Sequence, residues 1–146
     1  MNIKIRPKKV SKKNFQKFGQ IIDTSKKKYF RINNGFAKRY DNLGKIDTST
    51  KKGTTIVSIF SAKKRRFPMK IDIMEKHPLG SQAFVPMKET SFLVFVAPKG
   101  SQPNLNKIES FRIPKQTGIN LNPGIWHFPL ISTKNMNFLV IDRKGK

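Results

Sequence analysis

Ser91 to Ala97, with the sequence SFLVFVA, is apolar at every position except the first and is followed directly by Pro98. A second run, Thr54 to Ser61 (TTIVSIFS), is nearly apolar on both of its faces. Both runs are short and rich in β-branched and aromatic residues, which favours strands over helices. Strands that are apolar on both faces are typical of the middle of a sandwich or a closed barrel. We therefore expect a domain with two β layers and with both runs near its centre.

Five further segments have the length, the composition and the Gly, Pro or Asn boundaries of strands. They are Ile71 to Met74, Gln82 to Val85, Ile108 to Ile113, Thr117 to Leu121 and Phe138 to Asp142. The strand spacing and the turn residues fit a jelly-roll barrel, whose mouth is a common place for a ligand site. We found no internal repeat or linker, so residues 1–146 are predicted to form a single all-β domain.

One short helix is predicted near the N-terminus. Ser11 is a good N-cap, and Val10 and Phe15 occupy the two positions of a hydrophobic staple. Phe15 and Phe18 share one face of the helix, and Gly19 is placed to end it.

The composition limits the classes of partner. The chain has no cysteine, so any metal site must use His, Glu, Asp or Gln. The net charge is +23, but 24 of the 31 basic residues are lysines spread along the whole chain, whereas nucleic-acid readers depend on arginine. Nucleic acid is therefore an unlikely partner. Neither a signal peptide nor a membrane span is expected, which predicts a cytoplasmic protein.

The chain contains two histidines, each beside a proline or glycine turn. Glu75 and His77 fall on the same face of an extended segment, and Gln82 brings back a polar group after a turn. His127 follows the turn at Pro123-Gly124. The chemistry is therefore expected in two segments, Glu75 to Met87 and Gly118 to Pro129. Two ordinary polar residues at a barrel rim are the structural alternative.

Pro123-Gly124 followed by Trp126-His127 resembles the second motif of cupin barrels. At the positions of the first cupin motif, which is His-x-His followed by Glu, this chain has Glu75, His77 and Gln82. Together with His127 they would form an inward cluster. Carboxylate and imidazole groups suit nickel, zinc or manganese. A divalent metal such as Ni²⁺ is a candidate cofactor, and none is certain.

From about Phe15 to Arg143 the chain closely resembles the ureidoglycolate lyase family. The matching segments are Ile32 to Gly35 with Arg39-Tyr40, His77 to Lys88 (HPLGSQAFVPMK), Trp126-His127-x-Pro129-Leu130 and Ile141 to Arg143. The resemblance implies a homodimeric cupin enzyme of allantoin and purine breakdown that splits (S)-ureidoglycolate into glyoxylate and urea.

Ureidoglycolate is a carbinolamide with a carboxylate, so its cleavage needs a base, an acid and a cation. We expect Glu75, His77 and His127 to act as base, acid or metal ligands, with interchangeable roles. Four residues are assigned to substrate binding. Gln82 orients the substrate, Arg39 or Lys88 receives the carboxylate, and Asn34 lies in a turn whose first use is structural and whose second is contact with the substrate.

Three other interpretations stay open. The first is another reaction on the same scaffold, either hydrolysis of the ureido group with release of ammonia or a different small ureido or α-hydroxy acid as substrate. The second is a basic nucleic-acid-binding barrel, and the third is a cupin that binds a small anion without turnover. Asp142 and Arg143 are expected to form an ion pair that closes the last strand, with an Arg143 that faces the pocket as the alternative.

Overall fold

The computed structural model describes residues 4–128 and 130–146. Met1 to Ile3 and Pro129, the last residue of the second predicted site segment, lie outside the described residues. The described chain has one short α-helix, α1 (Lys12–Phe15), and 3-10 turns at Asn33–Gly35, Thr50–Lys52 and Leu105–Lys107. Its strands are β1 (Lys8–Lys9), β2 (Gly19–Ile22), β3 (Phe30–Ile32), β4 (Ala37–Arg39), β5 (Thr54–Ala62), β6 (Gln82–Pro86), β7 (Phe92–Ala97), β8 (Glu109–Ile113), β9 (Gly118–Leu121), β10 (Trp126–His127), β11 (Ile131–Ser132) and β12 (Met136–Lys144).

The strands form two five-stranded sheets and a separate hairpin. The first sheet has the order β1-β8-β7-β10, and β11 also pairs with β7. The second sheet has the order β2-β9-β6-β12-β5. Only the β1–β8 pairing is parallel among the described strands, and β3 pairs with β4 in the hairpin. Both sheets mix strands from distant parts of the chain, as a jelly roll requires.

The main core lies between the two sheets. Phe92, Val94 and Val96 on one face of β7 belong to the same buried cluster as Phe138 and Val140 on β12. The rings of Phe92 and Phe138 meet edge to face with centroids 5.1 Å apart. The all-β, cupin-like jelly-roll prediction with a short N-terminal helix is therefore confirmed.

The other face of β7 is covered as well. Leu93 and Phe95 pack with Phe128 and Ile131 in a second buried cluster. All six residues of β7 are buried. The expectation that Ser91 to Ala97 lies in the middle of the domain is confirmed.

The expectation that Thr54 to Ser61 lies in the middle is wrong. The run does form a strand, β5, but β5 is the edge of the second sheet, and β12 is its only partner among the described strands. Val57 and Ile59 are 66% and 51% exposed. An apolar composition indicates that a strand is suited to burial, but it does not indicate which part of the protein, or which partner, covers that strand.

The predicted strand at Ile71 to Met74 is also wrong. This segment has no ladder pairing, and the pairing of the region is one bridge at Glu75. Met69 and Ile71 instead pack against the second buried cluster. Their apolar side chains are therefore explained by packing of a loop on the outer face of the first sheet.

The N-terminal helix is confirmed and is shorter than expected. Ser11 Oγ accepts a hydrogen bond from the Asn14 backbone at 3.1 Å, and the Asn14 side chain accepts from the Ser11 backbone at 2.8 Å. Gly19 does not end the helix but begins β2. A β-carbon at Gly19 would overlap the Asn120 carbonyl, so glycine is needed there for the close approach of β2 and β9. Across the described residues, no helix has the length and the apolar character to cross a membrane.

Candidate active site

The two predicted site segments are joined through their backbones. Glu75 and His127 form an antiparallel bridge in which each N–H donates to the other carbonyl at 2.8 Å. His127 lies on β10, whose pairing with the central strand β7 places Val96 opposite it. The site is therefore fixed to the most buried strand of the protein, which limits the movement of both side chains.

A turn adds a second link between the segments. Gly124 has φ +81°, a backbone conformation that residues other than glycine rarely adopt. Pro123 and Gly124 occupy the two central positions of this turn, as is typical of type II. The Gly124 N–H donates to the His77 carbonyl at 3.0 Å. The Pro-Gly pair therefore holds His77 beside β10.

Glu75, His77 and His127 form a compact cluster. Glu75 Oε1 lies 3.4 Å from His127 Nε2 and 3.9 Å from His77 Nε2. The two imidazole rings have centroids 5.2 Å apart. His127 is only 3% exposed, whereas about half of the Glu75 and His77 side chains is open to solvent. The cluster thus has a buried member and two members that a small molecule can reach.

Burial dominates the ionisation of His127. Removal of the ring from water lowers its pKa from the ordinary value of 6.5; the nearby His77 lowers it as well, and the Ile125 carbonyl and Glu75 oppose the change. The ring therefore favours its neutral form at neutral pH. His127 Nδ1 lies 3.3 Å from the Ile125 carbonyl oxygen, which accepts a hydrogen bond when Nδ1 carries the proton.

The tautomer protonated at Nδ1 leaves the lone pair of His127 Nε2 facing the Glu75 carboxylate. Two acceptors at 3.4 Å need a shared proton or a cation between them. One ligand atom from each of Glu75, His77 and His127 lies within 4.8 Å of the others. Two imidazoles and a carboxylate, with one ring held by a backbone carbonyl, fit a divalent transition metal.

A cavity of about 240 Å³ opens beside this cluster. His77 is the member of the cluster that lines it. Its other lining residues are Pro78, Leu79, Gly80, Ser81, Asp142, Arg143, Gly145 and Lys146. The cavity therefore combines an imidazole, a carboxylate and two cations, which suits a small polar anion.

The comparison with protein families decides the assignment. Residues 2–146 match the family model described as ureidoglycolate lyase. The chain belongs to the ureidoglycolate lyase family. The cluster of Glu75, His77 and His127 described above is therefore a feature of a member of this family.

Three relatives illustrate the similarity within the ureidoglycolate lyase family. A ureidoglycolate lyase of Pseudomonas aeruginosa strain LESB58 is 42% identical over 144 residues, which are 98% of this chain and 84% of the relative. That of Stutzerimonas stutzeri is 41% identical over 137 residues, 93% and 81% of the two chains. That of Azotobacter vinelandii is 42% identical over 137 residues, 93% and 82%.

Among solved structures, RmlC from Streptococcus suis in complex with dTDP-D-xylose matches with a TM-score of 0.45 and 12% identity. The match covers 81% of this chain and 61% of that one, so the chain spans about three fifths of its length.

In this ureidoglycolate lyase family member, Gln82 does not line the cavity and is connected to it through Asp142. Its side-chain nitrogen donates to Asp142 Oδ2 at 3.1 Å, and Asp142 lines the cavity. Gln82 Oε1 is buried and has no hydrogen-bond partner within the described chain. The amide therefore orients a cavity carboxylate.

The structure does not bring the other predicted substrate-binding residues to this cavity. Asn34 is exposed in the β3–β4 hairpin, with φ 56°. Arg39, at the end of the same hairpin, is ion-paired with Asp41 at 2.6 Å. Lys88 is exposed in the turn after β6. None of the three lines the cavity that contains His77.

Sequence reasoning placed Asp142 and Arg143 in one ion pair, and this expectation is wrong. Neighbouring residues on a strand point to opposite faces, and Asp142 instead accepts from Gln82. Both residues line the cavity. The signal in the sequence was the Ile141 to Arg143 segment shared with the family, which marked the end of β12 as more than structural.

A second cavity, of about 390 Å³, shares no lining residue with the first. Its walls include Lys9, Arg112, Lys115 and Lys134. It contains no histidine, and Glu89 is its only carboxylate among the described residues. We therefore place the candidate active site at the smaller cavity, because its lining residue His77 belongs to the cluster with Glu75 and His127.

Proposed function

We propose that this protein is a ureidoglycolate lyase, which cleaves (S)-ureidoglycolate to glyoxylate and urea in allantoin and purine catabolism. The observation that carries the proposal is the cluster of Glu75, His77 and His127 in a chain of that family, with His77 also lining a small cavity that has cationic walls. The cavity volume of about 240 Å³ suits a substrate of this size, and the cations suit its carboxylate.

We propose that the three residues act as one proton-transfer unit. A base of the unit removes the carbinol proton, the C–O bond becomes the aldehyde of glyoxylate, the C–N bond breaks, and an acid of the unit protonates the departing urea nitrogen. The proton count balances without another reactant. His77 lines the cavity and is placed to meet the substrate directly. The lowered pKa of His127 favours a neutral ring that is able to accept a proton.

Glu75, His77 and His127 would also hold a divalent metal, if the active protein carries one. Such an ion supplies Lewis-acid stabilisation of the oxygen on which negative charge develops. Gln82 keeps its proposed role of orienting the substrate, which it would exert through its hydrogen bond to Asp142. Binding of substrate by Asn34, Arg39 or Lys88 stays a prediction.

The experiment that tests the proposal is incubation of the purified protein with racemic ureidoglycolate, with a chelator or with added Ni²⁺ or Mn²⁺. Glyoxylate, urea and ammonia are quantified against the spontaneous rate. We expect glyoxylate and urea in equal amounts. Release of ammonia in place of urea would show the hydrolase reaction, and no rate above background under any condition would overturn the enzyme assignment.

We also propose that the protein is a homodimer in which β5 meets a second copy. β5 is nine residues long and has one unpaired edge within the described chain. Val57 and Ile59 on one of its faces are largely exposed. An exposed apolar edge strand is a site for pairing with another chain, and an antiparallel pairing of β5 with itself closes around a two-fold axis.

Two further properties stay predictions. A single domain over residues 1–146 is supported by the core that the two sheets share. The cytoplasmic location is tested by fractionation of cells that express the protein.

A further inference from the structure

Arg143 is a cavity residue that forms no ion pair with an Asp or Glu side chain of the described residues. It lies near the end of β12, paired with Thr55 of β5, and lines the cavity that contains His77. No Asp or Glu carboxylate oxygen of the described residues lies within 4 Å of its guanidinium nitrogens. An arginine that lines a cavity and has no acidic side-chain partner is a candidate anion receptor.

The fold holds this side chain in one position. Nε and Nη2 donate to the Thr50 carbonyl at 3.2 and 2.9 Å, and Nη2 also donates to the Lys51 carbonyl at 3.4 Å and to the backbone oxygen of Lys146, the last residue of the sequence, at 3.3 Å. The Thr50 and Lys51 carbonyls are neutral, so they orient the guanidinium without neutralising its charge. Within the described chain, Nη1 donates no hydrogen bond, which leaves two N–H donors for a ligand.

Two glycines make room for the arginine. A β-carbon at Gly80 would lie 2.7 Å from Arg143 Cβ, and one at Gly53 would overlap Arg143 Nε. Gly80 belongs to the same turn as His77, whose carbonyl lies 3.4 Å from the Gly80 N–H. The turn that carries the imidazole therefore packs directly on the arginine.

The other charged groups of the cavity do not replace Arg143. Asp142 carries a carboxylate, which repels an anion. Because this carboxylate is oriented by a hydrogen bond from Gln82, it is suited to accept a hydrogen bond from a polar, uncharged group of the ligand. Lys146 lines the cavity on a flexible stem that lacks such anchoring by carbonyls. The fixed fork of Arg143 matches a carboxylate better than a mobile ammonium does.

We propose that Arg143 binds the carboxylate of the substrate and so selects for α-substituted monocarboxylates, in the role that the sequence suggested for Arg39 or Lys88. The inference rests on the proposed lyase function. The carboxylate keeps its charge throughout C–N cleavage, so Arg143 binds the ground state and the transition state about equally. Loss of such an interaction raises KM and leaves kcat nearly unchanged.

The test compares Arg143→Gln and Arg143→Lys with wild type. We expect Arg143→Gln to raise KM for ureidoglycolate about 10- to 100-fold, the effect of one lost hydrogen-bonded charge, and Arg143→Lys to restore part of it. Product inhibition separates recognition from folding. The inhibition constant for glyoxylate should rise together with KM, whereas that for urea, which has no carboxylate, should stay within a few-fold of wild type.

Lys144→Gln is the matched control, because Lys144 lies next to Arg143 on β12 and does not line the cavity. Arg39→Gln and Lys88→Gln test the competing assignments. The proposal is overturned if Arg143→Gln leaves KM unchanged, or if it weakens inhibition by urea as much as inhibition by glyoxylate. It is also overturned if Arg39→Gln or Lys88→Gln raises KM and Arg143→Gln does not. If wild type itself has no lyase activity, the proposed function fails, and binding of glyoxylate measured by calorimetry then tests the anion site on its own.

Discussion

At the scale of single residues, the site depends on one carboxylate placed between two imidazoles in different surroundings. His127 is buried and His77 is open to the cavity, although both lie within 4 Å of Glu75 Oε1. Different environments allow chemically similar groups to take different roles in one proton transfer.

Replacement of either histidine should therefore remove much of the activity. We expect His77→Ala, and separately His127→Ala, to lower kcat/KM for ureidoglycolate by about 10²- to 10⁴-fold, the usual contribution of a general acid or base. The measurement is the initial rate of glyoxylate release. Lys76→Gln is the control, since Lys76 donates to the Gly100 carbonyl on the opposite side of the segment. Activity of both histidine variants within a few-fold of wild type would contradict the assignment.

The buried ring also predicts a pH dependence of stability. The pKa of His127 is lowered in the folded protein, so the unfolded chain takes up this proton first as the pH falls. The free energy of unfolding should be unaffected by His127 well above pH 6.5 and should decrease as the pH falls below that value. Urea denaturation from about pH 8 to about pH 5 measures this. His127→Asn should show a smaller decrease, and an identical pH profile would refute the role of burial.

At the scale of elements, a short turn connects the two site segments. Gly124 orients β10 and donates to the His77 carbonyl, so its backbone acts on both histidines. The resemblance to the second cupin motif indicated this turn, and Pro-Gly is a typical pair for its two central positions.

Gly124→Ala should therefore destabilise the protein by about 1–2 kcal/mol, since a β-carbon is disfavoured in the left-handed region. Space is not the cause, because the nearest atom to a β-carbon there is Lys99 Cγ at 3.5 Å. We also expect lower kcat/KM. Gly44→Ala is the control, as Gly44 has ordinary van der Waals room and no positive φ, so it should be neutral or slightly stabilising. Equal denaturation midpoints for Gly124→Ala and wild type would contradict this account.

At the scale of the whole molecule, one face remains apolar after both sheets have packed. β5 contributes Val57 and Ile59 to it, and the lysine-rich surface elsewhere opposes non-specific association.

A double substitution, Val57→Lys with Ile59→Lys, should convert the dimer to a monomer by placing like charges at the proposed two-fold contact. Light scattering or sedimentation at micromolar concentration measures the mass. Leu105→Lys is the control, since Leu105 is 64% exposed on a different element and should leave the mass unchanged. A wild-type monomer, or a double variant that stays dimeric, would refute the β5 interface.

The local sequence by itself determined the strands β6 to β9, the N-cap at Ser11, the turn at Gly124 and the two histidine segments, because each depends on the conformational preferences of a few adjacent residues. Only the tertiary structure decided that β5 is an edge, that Ile71 packs as part of a loop, and that Arg143 with its carbonyl anchors shares a cavity with His77. These facts depend on pairing between residues far apart in the chain. Side-chain patterns specify that an apolar or charged group needs a partner, and the sheet topology specifies which partner it meets.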